Sequence, residues 1–175
     1  MIGIIGAMAV EVEQLLKNMD ENSEQTISGV CFHEGKMAGV PCVVAQCGIG
    51  KVAAAVCTQT MILRYHPQII LCEGVAGGIG KDIQIGDLVI ATALVQHDMD
   101  TSALGDPVGY ISALQTVQMP VPEKTVRFLA ECAQRVYKGH VHTGVIATGD
   151  QFVADNKKLH QLENQYGAVA CEMEG

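Results

Sequence analysis

The chain has 175 residues, 49% of them hydrophobic, and a formal net charge of −8; it is long enough for one packed core and too apolar to stay disordered. With 11 basic residues and no basic cluster larger than Lys157-Lys158, it lacks the cationic footprint that sequence-independent nucleic-acid binding requires. No apolar run approaches the ~20 residues of a membrane helix, and Met1 leads directly into Ile2-Gly3-Ile4-Ile5-Gly6 without a basic n-region or cleavage pattern, so neither a membrane span nor a signal peptide is expected.

Seven cysteines fall at 31, 42, 47, 57, 72, 132 and 171. The count is odd, no pair has C-x-x-C spacing, and several sit in apolar runs. That reads as free thiols in a reducing cytoplasm, with neither a disulfide framework nor a zinc site.

In chain order, Ile2–Gly6 is a short buried strand closed by glycine. Residues 7–19 follow with Met8, Val12, Leu15, Leu16 and Met19 at helical spacing. Glu11 lies in the first turn of that helix. It could face back over the strand's carboxyl end, or simply complement the helix dipole. Residues 25–34 and 36–46 predict short antiparallel strands, with turn signals at Ser28-Gly29, Gly35 and Gly39. The second strand runs into Cys47-Gly48-Ile49-Gly50-Lys51 and an Ala-rich helix over 52–65, which His66-Pro67 stops. Residues 68–72 predict another buried strand, leading into Glu73-Gly74-Val75-Ala76-Gly77-Gly78.

Residues 87–96 predict a strand that opens into a long polar loop over 97–110, and loops of that length usually serve a ligand or an interface. Its His97, Asp98 and Asp100 are a weak metal-ligand pattern, and no metal is expected there. Residues 122–137 predict an amphipathic helix with Val126, Leu129, Ala130, Ala133 and Val136 on one side. A strand over 140–148 runs into Gly149-Asp150-Gln151-Phe152. A helix over 156–166 precedes a last buried strand ending in Cys171-Glu172-Met173-Glu174-Gly175. The repeated order of strand, Gly-rich loop and helix predicts one α/β domain with a mixed sheet.

Polar groups at the carboxyl ends of buried strands are where such folds place ligands. Neither Gly-rich loop is a P-loop, because Ala45 and Val75 stand where the first glycine belongs, and neither makes G-x-G-x-x-G before a helix. Their glycines suit close backbone approach to a ligand or tight turning. Phe152 is one of only three phenylalanines in a chain without tryptophan; it serves either core packing or stacking on a flat ligand. A carboxylate near each end of the chain suits water activation together with gripping of sugar hydroxyls. No G-x-S-x-G or Ser/His/Asp pattern supports acyl transfer. The residues alone point to a small-molecule site, of glycoside-hydrolysis type.

Five motifs stand in a specific order: Gly3-Ile4-Ile5-Gly6-Ala7-Met8 with Glu11; Cys47-Gly48-Ile49-Gly50-Lys51-Val52-Ala53; Gly74-Val75-Ala76-Gly77-Gly78; Thr148-Gly149-Asp150-Gln151-Phe152; and Glu172-Met173-Glu174-Gly175. Together they resemble the bacterial 5′-methylthioadenosine/S-adenosylhomocysteine nucleosidases of the nucleoside phosphorylase superfamily, over the whole of residues 1–175. The resemblance implies a three-layer α/β fold with a central mixed β-sheet flanked by helices. It implies hydrolysis of an N-glycosidic bond, without a cofactor, through an oxocarbenium-like transition state. By resemblance, Glu11 activates the water and Glu174 holds the ribose hydroxyls, with Glu172 beside it. Met173 lies against the ribose, and Phe152 stacks on adenine while the Val153 backbone meets the base edge. Met8 and Ile49 line the site near the ribose and the 5′-alkylthio group, and the loop residues Val75, Ala76 and Gly77 complete its wall. Leu104 matches the residue that a second copy contributes to the thioalkyl pocket, which implies a homodimer.

Two departures follow from the same resemblance. Val75 stands where the family has serine, removing a hydroxyl near the water. The family also continues past its E-M-E-G motif with a helix, a strand carrying a Ser-Asp pair and a final helix. That Asp is its general acid, and no residue here matches it. The expectation is therefore a single nucleosidase-like domain over 1–175, incomplete at its C-terminus, with poor turnover. The alternatives are a purine nucleoside phosphorylase or a non-catalytic nucleoside-binding fragment. Phosphorolysis is disfavoured because Arg64, Arg127 and Arg135 are the only arginines and a carboxylate at Glu11 repels phosphate.

Overall fold

The structure is a computed structural model and describes residues 1–175. The chain forms two compact units, Met1–Val75 together with Glu174, and Ala76–Met173 together with Gly175. The α/β class is as expected, with mixed sheets and four helices. Each unit carries its own five-stranded sheet. No helix is long and apolar enough to cross a membrane.

The first unit contains β1 (Ile2–Gly6), α1 (Ala9–Lys17), β2 (Asp20–Ile27), β3 (Val30–Met37), β4 (Val40–Gln46), α2 (Lys51–Tyr65) and β5 (Ile69–Cys72). Its sheet runs β2-β3-β4-β1-β5. β1 pairs in parallel with β4 and β5, while β2, β3 and β4 form an antiparallel meander. The two-residue strand period sorts the apolar side chains into two layers. Ile5, Val43, Ala45 and Phe32 pack with Ala54, Cys57 and Met61 of α2. Ile4, Cys42 and Val44 pack on the other face with Val12 of α1 and with Met19. This unit is thus three layers, helix on sheet on helix. α2 ends at His66, whose left-handed backbone (φ 49°) reverses the chain ahead of Pro67.

The second unit contains β6 (Gly77–Gly78), β7 (Leu88–Gln96), a 3₁₀ turn (Ser102–Leu104), β8 (Gln118–Pro120), α3 (Glu123–Val136), β9 (Val141–Thr148), α4 (Asn156–Tyr166) and β10 (Ala168–Glu172). Its sheet runs β6-β10-β9-β7-β8, with β10, β9 and β7 parallel and the short outer strands antiparallel. Val95, Ala147 and Cys171 pack under Leu162 and Tyr166 of α4. The ends of α4 follow from sequence: the Asp155 side chain accepts the Lys157 amide hydrogen at 3.1 Å, and Gly167 closes the helix in the left-handed conformation (φ 66°).

Several expectations are corrected. Residues 20–46 form three strands, not two, because Asp20–Ile27 is a strand although almost every residue in it is exposed and polar. Gly35 is no turn. It pairs with Cys42 inside β3, where a side chain would collide with the Asp20 carbonyl at 2.6 Å. The run over 68–72 is an edge strand rather than a buried one, with Ile69 and Cys72 exposed. Val136 is 82% exposed, since the chain leaves the helix at Tyr137 with extended backbone. The strands β6 and β8 carry no periodic signal, being two and three residues long.

Phe32 is fully buried and its ring lies 5.4 Å from that of Tyr65. Phe32→Ala is expected to destabilise the protein by about 3–5 kcal/mol in denaturant unfolding. Phe128→Ala, at a 63% exposed site, is expected to change stability by no more than about 0.5 kcal/mol.

Candidate active site

Glu11 occupies the first turn of α1. Its Oε2 accepts the amide hydrogens of Ala7 at 2.7 Å and Met8 at 2.8 Å, and its Oε1 accepts that of Val75 at 2.9 Å. The two readings of Glu11 are therefore compatible. It serves the N-terminal helix amides, and it is fixed at the carboxyl ends of β1 and β5 by donors from two loops. Gly74 makes this possible, because a Cβ there would lie 2.6 Å from Glu11 Oε1. The glycine signal thus marks a close approach of backbone to a carboxylate belonging to the protein itself.

Glu174 belongs to the same unit. Its Oε1 accepts the amide hydrogen of Gly50 at 2.8 Å. Gly50 is the N-cap of α2, so this carboxylate sits where the helix dipole favours negative charge. Cys47, 7% exposed, reports on both carboxylates. Burial pushes its thiol up to about 11, with further upward pressure from Glu174 and Glu11. A thiol so placed is a poor nucleophile at neutral pH. Glu73, one residue ahead of Gly74, is pushed upward first by burial and then by the charge of Glu11. Neither Cys47 nor Glu73 stood out as a site residue in the sequence. A carboxylate at a strand end before a Gly-rich loop was the available signal for Glu73.

Met8, Ile49 and Val75, also in the first unit, are all exposed. They offer apolar surface that the unit's own core does not use. Ile49 lies between Gly48 and Gly50, beside the amide that Glu174 engages.

In the second unit, Phe152 is 87% exposed in the loop after β9. Core packing is thereby excluded for it, and its ring faces are open to a flat ligand. Val153 is half-buried against the α4 cluster and anchors that loop. Ahead of it, the Asp150 amide donates to Asp98 Oδ2 at 2.8 Å, and Gly149 packs against the His97 ring, where a Cβ would meet Nε2 at 2.6 Å. Asp100 Oδ1 accepts the Ser102 amide hydrogen. The polar residues after β7 thus organise loops through backbone amides. Gly77 pairs with Cys171 in the sheet, and Ala76 before it is exposed. Met173 is half-buried. Glu172 Oε2 accepts the Gly175 amide hydrogen at 2.8 Å. Leu104, at the end of the 3₁₀ turn, is 83% exposed.

The first unit therefore offers two oriented carboxylates and a thiol held protonated; the second, taken by itself, offers an exposed aromatic ring on a braced loop. The first unit is thus equipped to accept a proton at a fixed carboxylate, and the second presents a flat apolar face to solvent.

Comparison with known proteins agrees with this inventory. The phosphorylase superfamily profile matches residues 1–175. A 5′-methylthioadenosine/S-adenosylhomocysteine nucleosidase of Shewanella sp. (strain MR-7) is 40% identical, over 99% of this chain and 74% of its own length. Among solved structures, the Neisseria meningitidis nucleosidase of that name, in complex with methylthio-immucillin-A, superposes with a TM-score of 0.93 at 30% identity, over 99% of this chain and 75% of that one. The Helicobacter pylori nucleosidase with butyl-thio-DADMe-Immucillin-A gives 0.93 at 37% identity, with the same coverage. The chain spans about three quarters of the length of these relatives. By profile, identity and coverage together, it belongs to the 5′-methylthioadenosine/S-adenosylhomocysteine nucleosidase family of the phosphorylase superfamily.

Proposed function

We propose that residues 1–175 act as one cytoplasmic nucleosidase domain that hydrolyses the N-glycosidic bond of 5′-methylthioadenosine and S-adenosylhomocysteine. The products are adenine and the 5-thioribose, the step that opens methionine salvage and adenosylmethionine recycling. The observation that carries this reading is Glu11, a carboxylate oriented by three backbone amides in a chain of this family. Seven free cysteines accord with a reducing compartment.

In this reading Glu11 accepts a proton from water as the water oxygen bonds to C1′. The C1′–N9 bond breaks, its electron pair leaves with adenine, and the departing base takes up a proton from solvent water, with no side chain of residues 1–175 assigned to deliver it. Charge at the sugar is highest midway, in the oxocarbenium-like state, and fixed carboxylates stabilise it without reorganising. Glu174, held by the Gly50 amide, accepts hydrogen bonds from the ribose hydroxyls, with Glu172 as a further acceptor. Met173 packs against the ribose. Phe152 stacks on adenine and the Val153 backbone meets its edge. Met8 and Ile49 line the ribose and alkylthio side, and Val75, Ala76 and Gly77 form the loop wall. Leu104 of a second copy closes the thioalkyl pocket, so the active form is a homodimer. The exposure of Val52, Val56 and Leu63, which fall on one stripe of α2, supports a covering partner.

Hydrolysis is favoured over phosphorolysis because Glu11 presents negative charge where a phosphate would have to bind. Adenine release from 5′-methylthioadenosine in phosphate-free buffer tests the reading. Strict dependence on added phosphate would overturn it. Glu11→Gln is expected to lower kcat by about 10²–10⁴-fold while circular dichroism and the unfolding midpoint stay close to wild type.

Cys47 is expected to resist alkylation at pH 8, with its rate climbing as pH rises toward about 11, read by peptide mass spectrometry after timed iodoacetamide treatment. Modification at pH 8 as fast as that of a small free thiol would contradict its placement. Light scattering is expected to give twice the chain mass, and Val52→Glu is expected to shift the population toward monomer with a raised KM. A monomer that retains full activity would remove the partner's role for Leu104.

A further inference from the structure

We infer that the β2–β3 hairpin carries a transition-metal site of the zinc(II) class, formed by Glu24, Cys31 and His33. One ligand atom from each residue lies within 4.8 Å of the other two. The strand register explains the convergence. Cys31 and His33 are two apart on β3 and share a face, Glu24 sits directly opposite His33 on β2, and Cys31 opposes Thr26 two pairs further along. A linear scan for C-x-x-C spacing does not find such a set, because one ligand comes from across the hairpin.

His33 supplies the independent observation. Its side chain is 15% exposed, and its Nδ1 is buried with no hydrogen-bond partner. Glu24 Oε1 is the neighbouring charge, 3.5 Å away. A weak histidine–glutamate ion pair is the simpler explanation. It leaves Nδ1 buried beyond a good hydrogen bond, and it gives the thiol no part. A metal ion answers both. Tetrahedral coordination at the usual zinc–nitrogen, zinc–oxygen and zinc–sulfur lengths puts these ligand atoms about 3.3–3.6 Å apart. The present separations, at most 4.8 Å, would close by about 1–1.5 Å on binding. A thiolate, an imidazole and a carboxylate form a borderline-soft set that suits zinc rather than magnesium or calcium. Three protein ligands leave a fourth position for water, and the exposed Glu24 side leaves a way in from solvent.

The site does not rest on the nucleosidase reading. β2 and β3 lie at one edge of their sheet, and β4 separates them from β1, which leads to Glu11. Metal binding would cross-link an edge strand made almost wholly of polar residues to its neighbour. The effect expected is a stabilised edge.

The test is titration of the whole chain with zinc against a chromophoric chelator, alongside cobalt(II) absorption. One zinc per chain is expected to be lost, or weakened by about tenfold or more, in both Cys31→Ser and His33→Gln, with Glu24→Gln weakened less. Cobalt is expected to give a thiolate charge-transfer band that is absent from Cys31→Ser. Zinc is also expected to raise the unfolding temperature of the wild type and not of Cys31→Ser. No stoichiometric zinc in the wild type overturns the proposal, as does unchanged binding in the Cys31→Ser/His33→Gln double variant, which would place the metal on other thiols. If His33→Gln does not fold, the exposed Glu24→Gln and the Cys31→Ser cobalt spectrum decide the matter by themselves.

Discussion

Three backbone amides converge on the Glu11 carboxylate, and the first unit is arranged to permit it. One of them, from Met8, is the N-cap amide of α1, and the Ala7 amide lies just ahead of it on the turn out of β1. The third, from Val75, arrives on a loop that reaches the carboxylate only because Gly74 has no side chain. The parallel pairing of β1 with β5 brings the two loops to the same end of the sheet. One side chain thus caps α1, joins the ends of two strands and keeps a fixed direction. A group so constrained has little conformational freedom left to lose, which is what the role proposed for it above requires.

The second carboxylate follows the same rule. Glu174 meets the Gly50 amide at the start of α2, as Glu11 meets the start of α1. Both anions use helix N-termini, where aligned peptide dipoles offset their charge. Burial is the main reason the Cys47 thiol stays protonated, and the charges of Glu174 and Glu11 push in the same direction. The chemistry available is therefore proton transfer to and from oxygen rather than attack by sulfur. That agrees with membership in a nucleosidase family, where water is the attacking group.

Phe152 illustrates a different constraint. An almost fully exposed phenylalanine gains nothing from its own core. Its loop is nonetheless braced, through the Asp150 amide on Asp98 and through Val153 against α4. A braced loop that presents an uncovered ring is economical for stacking, since ordering has already been met on folding. The edge hairpin of β2 and β3 is the converse case. There, the register of β2 against β3 brings Glu24, Cys31 and His33 to one face within reach of one another.

Much of the architecture was legible in the sequence because buried strands and amphipathic helices leave periodic signals. β1, β4, α2, α4 and β10 are instances. The five motifs identified the family, and they placed Glu11, Phe152 and Glu174 at strand ends or helix starts. What stayed hidden was whatever depends on a neighbour. β2 is a strand through its pairing with β3, not through its own polar residues. Gly35 looks like a turn until the Asp20 carbonyl is seen to occupy its side-chain space. The glycines after β5 looked like a ligand cradle, and one of them instead admits the protein's own carboxylate. Composition and period determined which segments are helices and strands and which residues are candidates. Only the tertiary structure decided which amide meets which carboxylate, because hydrogen bonds act over about 3 Å and chain order does not encode distances that short.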